Sequence, residues 1–141
     1  MSIVLTGGCA CGAIRYECET KPAAMLNCHC HDCQHFSGSA YSPLVVVVAD
    51  QFCLMQGEPK YFVTIAASGN TVRRGFCPDC GSSLFVVTAA LPAYIALMAG
   101  CLDDPELFKP AADLWTRSAR YWDPMDPALP KYETEPPGTA G

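Results

Sequence analysis

Cysteine is the residue type in this sequence whose number and spacing point most directly to chemistry. The chain of 141 residues contains ten cysteines. Seven of them fall into a CxC, a CxCxxC and a CxxC: Cys9, Cys11, Cys28, Cys30, Cys33, Cys77 and Cys80. Such clusters are typical of metal ligation, and a secreted disulfide framework is the competing interpretation. The N-terminal stretch MSIVLTGGCACG does not read as an export signal, so we expect metal binding in a reducing, cytoplasmic compartment.

The CxC and the CxxC together supply four thiols, the number that a closed tetrahedral zinc site needs. If Cys9 and Cys11 lie on a strand, they point to the same face and both reach one ion. Gly81 follows Cys80 and can take the left-handed conformation that a CxxC turn favours. One structural zinc would then join the first strand to the middle of the chain, through Cys9, Cys11, Cys77 and Cys80.

The CxCxxC offers three thiols within six residues. Three protein ligands and one open position are typical of a catalytic zinc site. Two alternatives stay open: a site closed by His29, His31 or Asp32, and a site that is empty or partly oxidised. Thiolates of an exposed open site would oxidise easily. The candidate catalytic residues are Cys28, Cys30 and Cys33.

Polar side chains after the CxCxxC are candidates for binding a ligand of this site: Gln34, Ser37 and Ser39. They could donate hydrogen bonds to a carbonyl oxygen or to polar groups of the ligand. Arg73 or Arg74 could attract a carboxylate, although a solvated strand face is the simpler interpretation. We interpret the remaining cysteines as small buried hydrophobic residues: Cys18, Cys53 and Cys101.

Short strands separated by turns must position these clusters. Alternation predicts a half-buried strand over residues 14–19, and four successive valines predict a strand buried on both faces over residues 44–49. Further strands are predicted at residues 52–55, 60–65, 71–76, 83–88 and 94–99. One short helix is expected over residues 31–36, ending at Gly38. The sequence therefore predicts a mainly β fold with little helix.

Length and composition limit the organisation of the chain. One domain is expected over residues 1–122. Residues 123–141 hold five of the twelve prolines and are expected to run extended over the domain or to fray. The net charge of −5 argues against a nucleic-acid surface. Pro92 and Gly100 interrupt the longest apolar stretch, so no membrane-spanning segment is expected.

The chain resembles the glutathione-dependent formaldehyde-activating enzyme family in five successive segments: GGCACGAIRYE, CHCHDCQHFSGSAYS, FCPDCGSSLF, AGCLDDPELFKP and LWTRSARYWDP. The same superfamily includes the domain of centromere protein V. The resemblance extends over residues 7–132. It implies an Mss4-like fold, a β-tent of packed antiparallel sheets. It also implies a structural zinc on the four cysteines of the CxC and CxxC and an active-site zinc on the CxCxxC.

The function implied by this resemblance is that of a zinc-dependent carbon–sulfur lyase. Its substrate would be an adduct of a small thiol, such as glutathione, and a small carbonyl compound, such as formaldehyde. Asp113 and Leu114 stand where relatives commonly carry His-Ile before the tryptophan, which changes the charge near the site. The alternatives are a non-catalytic zinc-stabilised binding module and a redox or metal sensor. A protein ligand in the fourth coordination position would favour the module, and reversible disulfide formation with zinc release would favour the sensor.

Overall fold

Within residues 4–136, which a computed structural model describes, the chain forms ten strands and one α-helix. The strands are β1 (Leu5–Gly8), β2 (Arg15–Cys18), β3 (Ala24–Cys28), β4 (Ser42–Val48), β5 (Phe52–Gln56), β6 (Lys60–Ile65), β7 (Thr71–Phe76), β8 (Ser83–Thr88), β9 (Tyr94–Met98) and β10 (Asp113–Leu114). The helix α1 spans His31–Ser37. Strands account for 39% of the described residues and helical segments for 14%, so the predicted mainly β fold is confirmed. No helix of the described part is long and apolar enough to cross a membrane.

The strands form two sheets. Strands β1, β2 and β5 make a three-stranded sheet, and the other seven follow the spatial order β10-β3-β4-β9-β8-β7-β6. The sheets are antiparallel as predicted, except that β10 pairs with β3 in parallel. A parallel pair needs a long connection, which the chain provides because β10 follows β3 after six intervening strands.

The apolar core lies between the two sheets. Tyr16 of β2 and Phe85 of β8 are among its largest fully buried side chains. Val45 and Val47 of β4 face this core, whereas Leu44 belongs to a second cluster on the other face of the strand. The prediction that the valine-rich strand is buried on both faces is therefore confirmed. This second face carries the three-cysteine cluster.

Helix α1 begins and ends as the sequence predicts. Gly38 follows its last residue with a φ of 67°, and its N–H donates to the carbonyl of Gln34 at 2.8 Å. Glycine adopts this left-handed conformation without steric cost, and a left-handed residue at this position stops the helix. The stop fixes α1 against the face of the large sheet that carries Leu44.

The described part of the C-terminal arm runs beside β10. The Asp113 N–H donates to the Pro130 carbonyl and the Tyr132 N–H donates to the Asp113 carbonyl, each at 2.9 Å. The domain boundary at residue 122 stays a prediction. Residues 137–141 of the predicted arm lie outside the described residues.

Candidate metal centres

Four cysteines that are distant in sequence converge at one end of the core. The sulfur atoms of Cys9, Cys11, Cys77 and Cys80 all lie within 4.8 Å of one another. Cys11 Sγ is 3.6 Å from Cys9 Sγ and 3.8 Å from Cys77 Sγ. Zinc–sulfur bonds of about 2.3 Å in tetrahedral geometry place sulfur atoms roughly 3.8 Å apart. The four thiols therefore have the spacing of ligands around a single ion.

Turns, rather than strands, bring these thiols together. Strand β1 ends at Gly8, so the prediction that Cys9 and Cys11 alternate on a strand is wrong. They lie in the turn before β2, where the Gly12 N–H donates to the Cys9 carbonyl at 3.2 Å and Gly12 has a φ of 82°. The chain reverses direction at this turn, which an extended strand cannot do.

The CxxC forms the turn between β7 and β8. The Gly81 N–H donates to the Cys77 carbonyl at 2.8 Å, and Gly81 has a φ of 77°. The left-handed glycine predicted after Cys80 is therefore observed. The Asp79 N–H donates to Cys77 Sγ at 3.4 Å and helps to orient that sulfur.

Two of the four thiols in this cluster, Cys9 and Cys80, have lowered pKa values. The hydroxyl and the N–H of Ser82 lower the pKa of Cys80 to about 5. Burial raises the pKa of Cys9, but the Ile14 N–H at 3.2 Å and the thiols of Cys11 and Cys77 lower it by more, so that the net shift is downward. Because a metal binds the thiolate form, both shifts favour ligation.

The second cluster is local to the end of β3 and the start of α1. The sulfur atoms of Cys28, Cys30 and Cys33 lie within 4.8 Å of one another. Cys30 is the N-cap residue of α1, and its Sγ accepts a hydrogen bond from the Cys33 N–H at 3.3 Å. Cys28 and Cys33 are buried, whereas Cys30 is half-buried and gives the cluster its access to the surface.

The residues proposed to close this site point elsewhere. His29 is fully buried, with Nε2 3.0 Å from an Asp123 carboxylate oxygen and Nδ1 3.2 Å from the Leu114 carbonyl. His31 Nδ1 lies 3.3 Å from an Arg120 guanidinium nitrogen, and Asp32 is exposed. Within residues 4–136, this second cluster consists of the three thiols, and no fourth metal-ligating atom lies close to all of them.

The three thiols share protons unequally. Hydrogen bonds from Cys28 and Cys33 lower the pKa of Cys30 to about 2, against burial, which raises it. The same contacts raise the pKa of Cys28 well above its usual range. Cys30, the most accessible of the three, therefore loses its proton more readily than Cys28. A softer, more anionic sulfur at that position suits a thiophilic metal.

The structure separates the roles expected for the polar residues after the cluster. The Gln34 amide donates to the His29 and Ser118 carbonyls at 2.7 and 2.9 Å, and its oxygen accepts from Arg120 Nε at 2.8 Å. Its polar atoms are therefore used in holding α1 to the C-terminal segment. Ser37 caps the end of α1, where its hydroxyl bonds the Gln34 carbonyl and the Ser39 N–H.

A shallow groove of about 320 Å³ runs along α1. Gln34 and Ser39 contribute to its wall, but Ser37 does not. The groove is also lined by His31, His35, Gly38, Arg120 and Trp122. The Arg120 guanidinium places a positive charge in its wall, which suits an anionic group.

Three features of the sites were not found by sequence reasoning. Cys53 is exposed rather than buried, because β5 is an edge strand and Cys53 lies opposite Glu17 on its outer face. Trp115 packs against the three-cysteine cluster and has a φ of 57°, which is uncommon for a residue other than glycine. Arg74 is 6% exposed and not on a solvated face. Arg74 lies two residues after the buried Val72 on β7, so strand alternation was a signal that could have revealed the burial of Arg74.

Asp113 is neutralised rather than presented to a ligand. It is 1% exposed, accepts from the Asn27 amide at 3.1 Å and contacts Lys131 Nζ at 2.8 Å. The negative charge of Asp113 is thus compensated by Lys131 of the C-terminal arm. Together with the contact between His29 and Asp123, this ion pair ties the arm to β3, next to the three-cysteine cluster.

Replacing Lys131 by methionine is expected to destabilise the metal-loaded protein by about 2 kcal/mol, because the buried Asp113 carboxylate loses its cation. Urea denaturation followed by circular dichroism measures the change. Lys109 is exposed, and Lys109→Met is the matched control. An unchanged midpoint for Lys131→Met would show that the arm does not depend on this contact.

Comparisons with a family model and with a solved structure agree with the cysteine clusters and the fold described above. A family model described as glutathione-dependent formaldehyde-activating enzyme matches residues 4–118, which include all seven clustered cysteines. The fold is similar to the crystal structure of a Rhodobacter sphaeroides protein, with a TM-score of 0.59 and 15% sequence identity. That likeness covers 90% of this chain and 98% of the other. At such low identity it supports the fold alone.

Proposed function

This chain belongs to the glutathione-dependent formaldehyde-activating enzyme family, and we propose that it is a zinc-dependent enzyme of the carbon–sulfur lyase type. Its substrate would be the adduct of a small thiol, such as glutathione, and a small carbonyl compound. The observation that carries this proposal is the three-thiol site, for which residues 4–136 supply no fourth ligand. An open position is what separates a catalytic metal site from a structural one.

The donor sets of both clusters suit zinc. Sulfur spacings of 3.6 and 3.8 Å in the four-cysteine cluster fit one tetrahedral ion, and ligands that are all thiolates select a soft or borderline metal. Cys9, Cys11, Cys77 and Cys80 would hold a structural zinc. Cys28, Cys30 and Cys33 would hold the active-site zinc, which would supply a position where an incoming thiol is stabilised as its thiolate.

The reaction itself is a reversible addition. The thiol sulfur forms a bond to the carbonyl carbon, and the thiol proton ends on the carbonyl oxygen. Cleavage of the carbon–sulfur bond reverses both transfers. The half-buried position of Cys30 leaves the cluster accessible, while buried Cys28 and Cys33 keep it anchored. Burial of the Cys28 and Cys33 sulfur atoms would strengthen their interactions with a bound metal ion.

The groove along α1 is the proposed binding site for the rest of the thiol. His31, which lines the groove, directly follows Cys30 at the start of α1, and this supports a groove that adjoins the cluster. The Arg120 guanidinium can attract a carboxylate of a glutathione-like ligand, and the exposed Ser39 can donate a hydrogen bond. Gln34 acts indirectly, since it holds the Arg120 side chain at the groove wall.

Binding of a small thiol tests this proposal. Zinc-loaded protein is titrated calorimetrically with glutathione, cysteine and cysteamine, with Cys30→Ser as the disabled variant and Cys53→Ser as the control. We expect at least one thiol to bind the parent protein and Cys53→Ser, because zinc coordinated by sulfur accepts a further sulfur ligand. Cys30→Ser should not bind it. A protein with two zinc ions per chain that binds none of these thiols at millimolar concentration would instead be a zinc-stabilised binding module.

A further inference from the structure

Arg74 is a buried cation without a carboxylate partner. It is 6% exposed, and one of its terminal nitrogens donates to Thr64 Oγ1 at 3.1 Å. Its Nε is buried and has no hydrogen-bond partner within the part of the chain that the structure describes. None of the ion pairs found there involves Arg74. The hydroxyl of Thr64 is neutral, so the guanidinium charge is not compensated by these contacts.

A charge in this position is costly unless an opposite charge lies nearby. Removing an ion from water costs several kcal/mol even after the surrounding protein relaxes. Arginine keeps its proton under all ordinary conditions, so it cannot avoid the cost by becoming neutral. The fold therefore requires a source of negative charge near Arg74.

Strand register places Arg74 on the sheet face that carries the three-cysteine cluster. Arg74 of β7 pairs with Val86 of β8, and Val86 pairs with Ala96 of β9. Val86 and Ala96 pack against the apolar cluster that contains Cys28 and Cys33. Arg74 continues the same cross-strand row and therefore lies on the face of the large sheet that carries the cluster. The neighbouring Arg73 points to the opposite face, where it lies 4.1 Å from the centre of the Tyr61 ring.

The charge of Arg74 balances the charge of a metal-loaded three-cysteine site. Three thiolates and one divalent ion carry a net charge of −1, and one guanidinium brings the sum to zero. We infer that Arg74 is the built-in counter-ion of the three-thiolate metal site and is needed for that site to retain its metal. Arg74 acts through the ligands and is a positioning residue. The inference rests on the metal binding in the proposed function, but not on the thiol–carbonyl reaction.

Metal affinity, rather than activity, tests the inference. Purified proteins are titrated with a chromophoric chelator that competes for zinc, and cobalt substitution follows the sulfur-to-metal absorption of each site. Arg74→Met and Arg74→Gln remove the charge in two different shapes, and Arg74→Lys keeps it. Arg73→Met removes the same charge from the same strand on its other face. Thermal melting shows that each variant is folded.

We expect both neutral variants to weaken zinc binding at the three-cysteine site by about 10–100-fold, the range typical for groups that support metal ligands. Arg74→Lys and Arg73→Met should stay close to the parent protein, and the four-cysteine site should be unaffected in every variant. Unchanged affinity in the neutral variants would overturn the inference. An equal loss of zinc affinity in Arg74→Lys would also overturn it, because the shape of the side chain and not its charge would then decide metal binding. Unfolding of the neutral variants would overturn it as well, because Arg74 would then support the fold rather than the metal site.

The same titration separates this inference from the proposed reaction. A parent protein that binds one metal ion per chain would overturn both. A parent protein that binds two ions, loses one upon Arg74→Met and binds no small thiol would support the counter-ion role while contradicting the enzyme.

Discussion

Cys80→Ser is expected to unfold the protein or to make it insoluble. Metal binding by four thiolates contributes folding free energy on the order of 10 kcal/mol in small domains, which is comparable to the whole stability of such a domain. Cys80 lies in the turn after β7 and shares its cluster with Cys9 and Cys11 from the turn after β1. Loss of the metal therefore releases the connection between the two sheets. Circular dichroism and thermal melting of the purified variant measure the effect.

The exposure of Cys80 makes this substitution informative. Its side chain is exposed, so serine removes a metal ligand without opening a cavity in the core. Cys53 is exposed as well and belongs to neither cluster, which makes Cys53→Ser the matched control. The control should melt like the parent protein. A Cys80→Ser protein that is soluble and melts cooperatively with unchanged secondary structure would contradict the structural role of the four-cysteine site.

The second large effect is functional. Cys30→Ser is expected to remove one metal ion per chain and all thiol binding while the protein stays folded. The three-cysteine cluster connects only the end of β3 to the start of α1, so its metal joins no distant segments. Metal analysis, calorimetry and thermal melting of one preparation measure the three properties together.

Serine at residue 30 also preserves the start of α1. Cys30 caps the helix by accepting from the Cys33 N–H, and serine is among the preferred residues for this role. Cys30→Ala would lose both the ligand and the cap, at a further cost of about 1 kcal/mol. A Cys30→Ser protein that collapses as readily as Cys80→Ser would show that the two clusters do not have separate roles.

Local pattern predicted most of the fold. The ranges 60–65, 71–76 and 83–88 correspond to β6, β7 and β8 as observed, because β-branched and aromatic residues there are bounded by turn residues. The strand β3 was missed. Its residues Ala24, Met25 and Leu26 favour helix locally, and pairing with β4 and β10 decides its conformation.

Of the candidate sites, the sequence predicted those features that depend on the spacing of the cysteines. The cysteine clusters converge as their spacing predicts. The burial of Arg74 depends on which face of β7 is covered by other segments, and that is a tertiary property. The exposure of Cys53 has the same cause, since β5 lies at the edge of its sheet. Contacts of the C-terminal arm, such as Asp123 with His29 across 94 residues, have no local signal.

Counting the metal ions in freshly purified, reduced protein tests the central claim most directly. X-ray fluorescence identifies the metal, and elemental analysis against protein concentration gives the number per chain. Two distinct cysteine clusters predict two zinc ions per chain, one of which is lost in Cys30→Ser. A parent protein with one ion per chain would contradict the active-site metal, and a folded protein with none would contradict both centres.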